Sequence, residues 1–177
     1  TDIYSQYNAI QKRMDGLIED LSSDTNPNQN TLLTVVSHSL GTVVLSDYLY
    51  DKRDILEPKY QLTFSNFFTL GSPIALYANR FYNHQSKSNP FANFKPQKVK
   101  DPNGIWVNLF DEDDIVGYPI RPVNRHCKKV VTADLNVSVG SFLAGGTPAS
   151  HTGYWEDEEV GKIIAEKLAI DWQRVNG

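Results

Sequence analysis

The sequence predicts an α/β fold, with a mostly parallel sheet flanked by helices. Apolar, β-branched or aromatic runs at residues 31–37, 62–70 and 105–110 read as strands, helical periodicity lies at both ends of the chain and after the first run, and the connections are long enough for crossovers. In such a sheet, ligand chemistry belongs at the carboxyl ends of the strands.

Each element has its own pattern. Ile3, Tyr7, Ile10, Met14, Leu17, Ile18 and Leu21 recur at three- and four-residue steps, which predicts an amphipathic helix over residues 1–21. The next stretch, the polar SSDTNPNQN, reads as a loop. TLLTVVS is a continuous apolar run that suits a strand buried on both faces of a parallel sheet. After a sharp turn at residues 37–41, TVVLSDYLYD places Val44, Leu45, Tyr48 and Leu49 on one helical face. LTFSNFFTL and IWVNLF are the next two strands. Residues 77–104 lack a clear period and read as a long excursion, a lid or binding loop or a mere connection. Residues 130–139 read as a further strand, with His126 at its start, and SFLAGGTPAS as a loop. Residues 156–175 read as a terminal helix with Val160, Ile163, Ile164 and Leu168 inward.

At 177 residues and 40% hydrophobic content, the chain can bury the core of one domain. Its formal charge of −4 is spread along the chain, and the basic residues form no stripe with interleaved aromatics. Nucleic acid is therefore not an expected partner. The single cysteine, Cys127, reads as structural and cannot form an internal disulfide, and no Cys/His spacing resembles a zinc site. No run approaches the roughly 18 apolar residues of a membrane span. These features lead us to expect a soluble chain with no transmembrane segment, no metal and no cofactor, in a cytoplasmic setting by slight preference. The first residue is not Met and the first helix begins at once, so upstream sequence is expected as well.

The chemistry gathers around Ser37-His38-Ser39-Leu40-Gly41, which matches the nucleophile-elbow pattern G-x-S-x-G with serine at the first glycine position. A strand-to-helix reversal this tight needs small flanking residues, and Ser37 is small. Ser39 would stand exposed at the amino end of a helix, with the Leu40 N–H as an oxyanion-hole donor. A serine hydroxyl needs a base to take its proton, and the base needs a carboxylate to fix its tautomer. NLFDEDDIVGYP supplies acids directly after a strand; Asp114 is preferred because Ile115-Val116 can anchor it inward, with Asp111 and Asp113 as alternatives. The acids lack the spacing of a calcium loop. Of the four histidines, His151, just before the terminal helix, is preferred over His126; His84 precedes the acids, and His38 is expected to pack under the elbow, pointing away from the site. Ser72 has no indicated base and reads as part of a small-residue turn.

At these residues the chain resembles the lipase and esterase branch of the α/β-hydrolases, particularly class 3 (fungal-type) lipases and GPI-inositol-deacylase-like proteins. SHSLG is similar to the family's G-H-S-L-G, TLGSP to the Gly-Ser-Pro that ends its next strand, DDIVGYP to its acid loop N-D-I-V-P-x-x-P, and SHTGYW to its histidine segment S-H-x-x-Y-W. The resemblance implies Ser39 as nucleophile, Asp114 as acid and His151 as base of an ester hydrolase acting through an acyl-enzyme on an ester or lipid-like small molecule. Acyl transfer or thioester cleavage by the same residues, and a non-catalytic hydrolase-like module, are the alternatives. Aromatics at Tyr77, Phe81, Tyr82, Phe91 and Phe94 would suit an acyl site. The resemblance also implies that residues 1–177 are the C-terminal part of a single α/β-hydrolase domain. The second oxyanion-hole donor would then come from an upstream segment or a partner chain; its absence would cost roughly 3 kcal/mol of transition-state stabilisation.

Overall fold

The computed structural model describes residues 3–25, 31–82, 95–139 and 148–177. Its elements, in chain order, are α1 (Ile3–Ser23), β1 (Thr31–His38), α2 (Leu40–Lys52), α3 (Leu56–Tyr60), β2 (Leu62–Leu70), α4 (Ile74–Tyr82), β3 (Trp106–Phe110), α5 (Arg125–Val130), β4 (Ala133–Asn136), α6 (Pro148–Thr152) and α7 (Glu158–Asn176). The four strands form one parallel sheet in the order β1-β2-β3-β4. This is an α/β fold with helices flanking a parallel sheet.

The first three expected strands are present, whereas the one expected over residues 130–139 is confined to Ala133–Asn136 because Arg125–Val130 is helical; β2 and β3 are paired on both sides and are the most buried. The pattern of β2 is not a simple alternation. Leu33 pairs with Phe64 and Thr34 with Asn66, so Ser65 is an extra, unpaired residue that reverses the phase of the side chains. Leu62, Phe64 and Phe67 consequently share one core cluster, together with Tyr48, Leu49 and Trp106. Phe68 and Leu70 enter a second, with Val107, Leu109, Tyr154 and Val160.

Several expectations need correction. Residues 31–37 were expected to be buried on both faces, yet only Leu33 and Ser37 are buried in β1, which lies at an edge of the described sheet. On α1, Met14 and Ile18 face the core, whereas Ile10, Leu17 and Leu21 are exposed. A three-to-four-residue period marks a broad stripe, and only the part touching α2 and α3 is covered. The excursion at 77–104 begins inside a helix, α4, and its stretch at 83–94 lies outside the described residues. His126 is not at a strand start but in the first turn of α5, whose cap is the Asn124 side chain accepting from the Cys127 N–H. Pro148–Thr152 is helical rather than loop. Among the described residues, no helix is long and apolar enough to cross a membrane.

Helix α7 departs from its predicted apolar face at its lower half. Val160 is buried and Ile163 and Ile164 pack beside it, but Leu168 is exposed. The inward stripe continues instead through Lys167, Asp171 and Arg174. Asp171 accepts from Asn66 Nδ2 at 2.7 Å and from Lys167 at 2.5 Å, and Arg174 bridges Asp171 and the buried Asp101. Ser65 Oγ also donates to Asp101, at 2.8 Å, so the bulge in β2 is held by this network. A hydrophobicity pattern cannot register an inward face made of charges.

Burial raises the pKa of Asp101 and of Asp171. Hydrogen bonds outweigh it, from the Asn103 N–H, Ser65 and Arg174 in the first case and from Lys167, Asn66 and Arg174 in the second, so both lie below the ordinary 3.8. Their contribution is therefore complete above the unfolded-state value and lost as pH falls through the lowered folded values. The urea midpoint is expected to fall as pH drops below about 4. In Asp171→Asn the same acid titration should show a shallower fall.

Candidate active site

Two strand ends and one short helix bring the candidate residues together. Ser39 follows β1, Asp114 lies in the loop after β3, and His151 lies on α6. His151 Nε2 is 2.7 Å from Ser39 Oγ, and its Nδ1 is 2.9 and 3.1 Å from the two Asp114 oxygens. A carboxylate can only accept, so Nδ1 carries the proton and Nε2 is left to accept from the serine hydroxyl.

Ser39 has φ 54° and ψ −135°, a left-handed conformation that costs a non-glycine residue about 1–3 kcal/mol. The surrounding bonds hold it there. Its N–H donates to Leu70 O at 3.0 Å, and its carbonyl accepts from the Thr42 N–H and Thr42 Oγ1. Thr42 Oγ1 also lies 2.8 Å from the fully buried Ser72 Oγ. Ser72 thus does more than fill a small turn, since it braces the Ser39 turn from the end of β2. A Cβ on Gly41 would come within 3.0 Å of Ser37 Oγ, which shows why only small residues suit both positions. Leu40 and Gly41 open α2, where backbone N–H groups have no intrahelical acceptor and point out beside Ser39.

The acidic cluster divides by burial. Glu112 and Asp113 are exposed, and Asp111 and Asp114 are buried. The Asp111 carboxylate accepts from the N–H groups of Asp113 and Val139, both at 2.8 Å. The Asp114 carboxylate meets His151 and also accepts from the Val116 N–H at 2.9 Å and Tyr154 Oη at 3.0 Å. Burial pushes the Asp114 pKa up, but the bonds from His151, Val116 and Tyr154 more than reverse this and hold it below its ordinary value. It is therefore ionised at neutral pH.

Tyr154 was not singled out as a site residue in the sequence, although it stands in the same segment as His151. It is 1% exposed, donates to Asp114 and accepts from the Asp111 N–H at 2.9 Å. One hydroxyl thereby ties the acidic loop to the segment carrying His151. Gly71, with φ +51°, makes room for this arrangement: a Cβ there would lie 2.7 Å from the Tyr154 ring and 2.8 Å from Asp114 Oδ2. Gly71→Ala is expected to destabilise the fold by about 2–4 kcal/mol through backbone strain and overpacking, read from urea denaturation.

The remaining candidates lie elsewhere. His126 Nε2 is 3.0 Å from Pro96 O, and His84 is outside the described residues. Cys127 is fully buried, and burial pushes its thiol up to about 12. Of the aromatics expected at an acyl site, Phe91 and Phe94 fall outside the described residues, whereas Tyr77 is half-buried on α4. His38 does not point away from the site as expected. Its ring lies 4.8 Å from that of His151, because the segment entering α7 covers the end of β1.

The chain matches no protein-family profile and no solved structure. It is similar to a probable phospholipase, named as mitochondrial, of Schizosaccharomyces pombe, with 27% identity over 128 residues. The likeness is thus to a lipase-type hydrolase. It covers 65% of this chain but only 17% of the relative's length.

Proposed function

We propose that this chain is a serine hydrolase of the α/β-hydrolase type that cleaves a carboxylic ester, with a lipid as the favoured substrate class. The observation that carries the reading is the continuous hydrogen-bonded series from Ser39 Oγ through His151 to the buried Asp114. Ser39 attacks the ester carbonyl while His151 Nε2 takes its proton, and Asp114 stabilises the imidazolium that forms. The Leu40 N–H donates to the developing oxyanion. His151 then returns the proton to the departing alcohol, leaving an acyl group on Ser39. Water, deprotonated by His151, attacks this acyl-enzyme; the bond from the acyl carbon to Ser39 Oγ breaks as His151 returns the proton to that oxygen, and the acid is released.

The lipid preference rests on two supports. One is the relative named as a phospholipase. The other is the exposure of Leu40, Ile115 and Trp155, large apolar side chains close behind Ser39, Asp114 and His151 in the chain.

A fluorophosphonate reagent tests the chemistry. Peptide mapping should find its adduct on Ser39, and an adduct confined to other residues would overturn the reading. For substrate class, fatty acid should be released from phosphatidylcholine vesicles. Turnover of soluble short-chain esters alone would remove the lipid assignment and keep the esterase.

A further inference from the structure

The hydrolase reading requires His151 to hold two hydrogen bonds at once, to Asp114 on one ring nitrogen and Ser39 on the other. Its segment is poorly suited to that by itself. Helix α6 has only five residues, and His151 stands 112 positions from Ser39 in the chain. Something must fix its backbone. His38 Nε2 lies 2.6 Å from the His151 carbonyl oxygen, and the two rings are 4.8 Å apart.

We propose that His38 is a positioning residue: its Nε2–H holds the His151 carbonyl, so that the His151 imidazole stays aligned between Asp114 and Ser39. This role rests on the hydrolase reading of the site. His38 is the last residue of β1 and directly precedes Ser39, so the base and the hydroxyl it serves share one mount. The separation between them is then set by a strand end rather than by the α6 segment alone.

The protonation state fits the role. A carbonyl only accepts, so Nε2 must carry hydrogen. Burial lowers the His38 pKa, as does the His151 charge; the bond to the His151 carbonyl and the Asp114 charge oppose them but do not prevail. His38 is therefore neutral at pH 7 and places no second positive charge beside the imidazolium of His151. Among the described residues its ring also lies near the rings of Tyr154, at 5.8 Å, and Trp155, at 6.2 Å.

The test compares wild type with His38→Phe, which keeps a ring but has no donor, and His38→Gln, whose amide nitrogen can reach the same carbonyl. Steady-state hydrolysis of a soluble p-nitrophenyl ester is measured for each, with circular dichroism to confirm folding. A misalignment of about 1 Å costs on the order of a hundredfold, so His38→Phe is expected to lower kcat by about 10- to 100-fold with KM within about twofold. His38→Gln should recover most of the loss. Unchanged kcat in His38→Phe overturns the proposal, as does equal impairment of the two folded variants. If His38→Phe does not fold, His38→Leu takes its place; if neither donor-free variant folds, His38 is a stability residue and the proposal fails. Absence of Ser39-dependent turnover in wild type defeats the hydrolase reading itself, an outcome distinct from these.

Discussion

Ser39→Ala is expected to lower ester turnover by about a millionfold while leaving the fold intact. The proposed reaction begins with the bond from Ser39 Oγ to the carbonyl carbon, and the methyl group of alanine cannot form it. Neighbouring hydroxyls offer no substitute: Thr42 Oγ1 donates to the Ser39 carbonyl, and Ser72 Oγ is fully buried against Thr42. The strained backbone does not depend on the hydroxyl. It is held by the Ser39 N–H on Leu70 and by Thr42, and alanine retains both backbone partners. Residual turnover would come from Leu40 and substrate binding alone. The measurement is kcat on a soluble p-nitrophenyl ester beside a thermal melt. Turnover within tenfold of wild type would exclude Ser39 as nucleophile.

Asp114→Asn carries the second largest effect, about a ten-thousandfold loss of kcat with near-native structure. The Val116 N–H donates to Oδ1, so an asparagine would keep its carbonyl there and turn its NH₂ toward the Oδ2 position, against His151 Nδ1. An amide donor forces Nδ1 to accept. The histidine proton then moves to Nε2, which can no longer take one from Ser39. Asp113→Asn should leave kcat nearly unchanged because Asp113 is exposed. Asp111→Asn should act mainly on stability, since its carboxylate accepts the Asp113 and Val139 N–H groups rather than meeting His151. If Asp111→Asn gave the ten-thousandfold loss and Asp114→Asn did not, the acid would be misassigned.

The sequence by itself determined the parallel α/β architecture and the place of Ser39 between a strand and a helix. Both signals are local: a continuous apolar run before a small-residue turn marks a strand end, and helical periodicity marks the helix behind it. The choice among Asp111, Asp113 and Asp114 was different: the preference for Asp114 rested on Ile115-Val116 as an inward anchor, yet Ile115 is exposed and does not supply it. Only the approach of α6 and the 153–155 turn to the β3 loop separates them, putting Asp114 against His151 and Tyr154. Tyr154 and His38 had the same obscurity. Their hydrogen bonds join residues 40 and 113 positions apart, and no periodicity reports such a pair.

The tertiary structure likewise decided which apolar residues are core. Ile10, Leu17 and Leu168 fit the helical period yet are exposed. Lys167, Asp171 and Arg174 turn inward because Asn66 and Asp101 wait there with polar atoms to be satisfied. Periodicity reports which side of an element is apolar; the partner that meets that side is set by the packing of the whole chain.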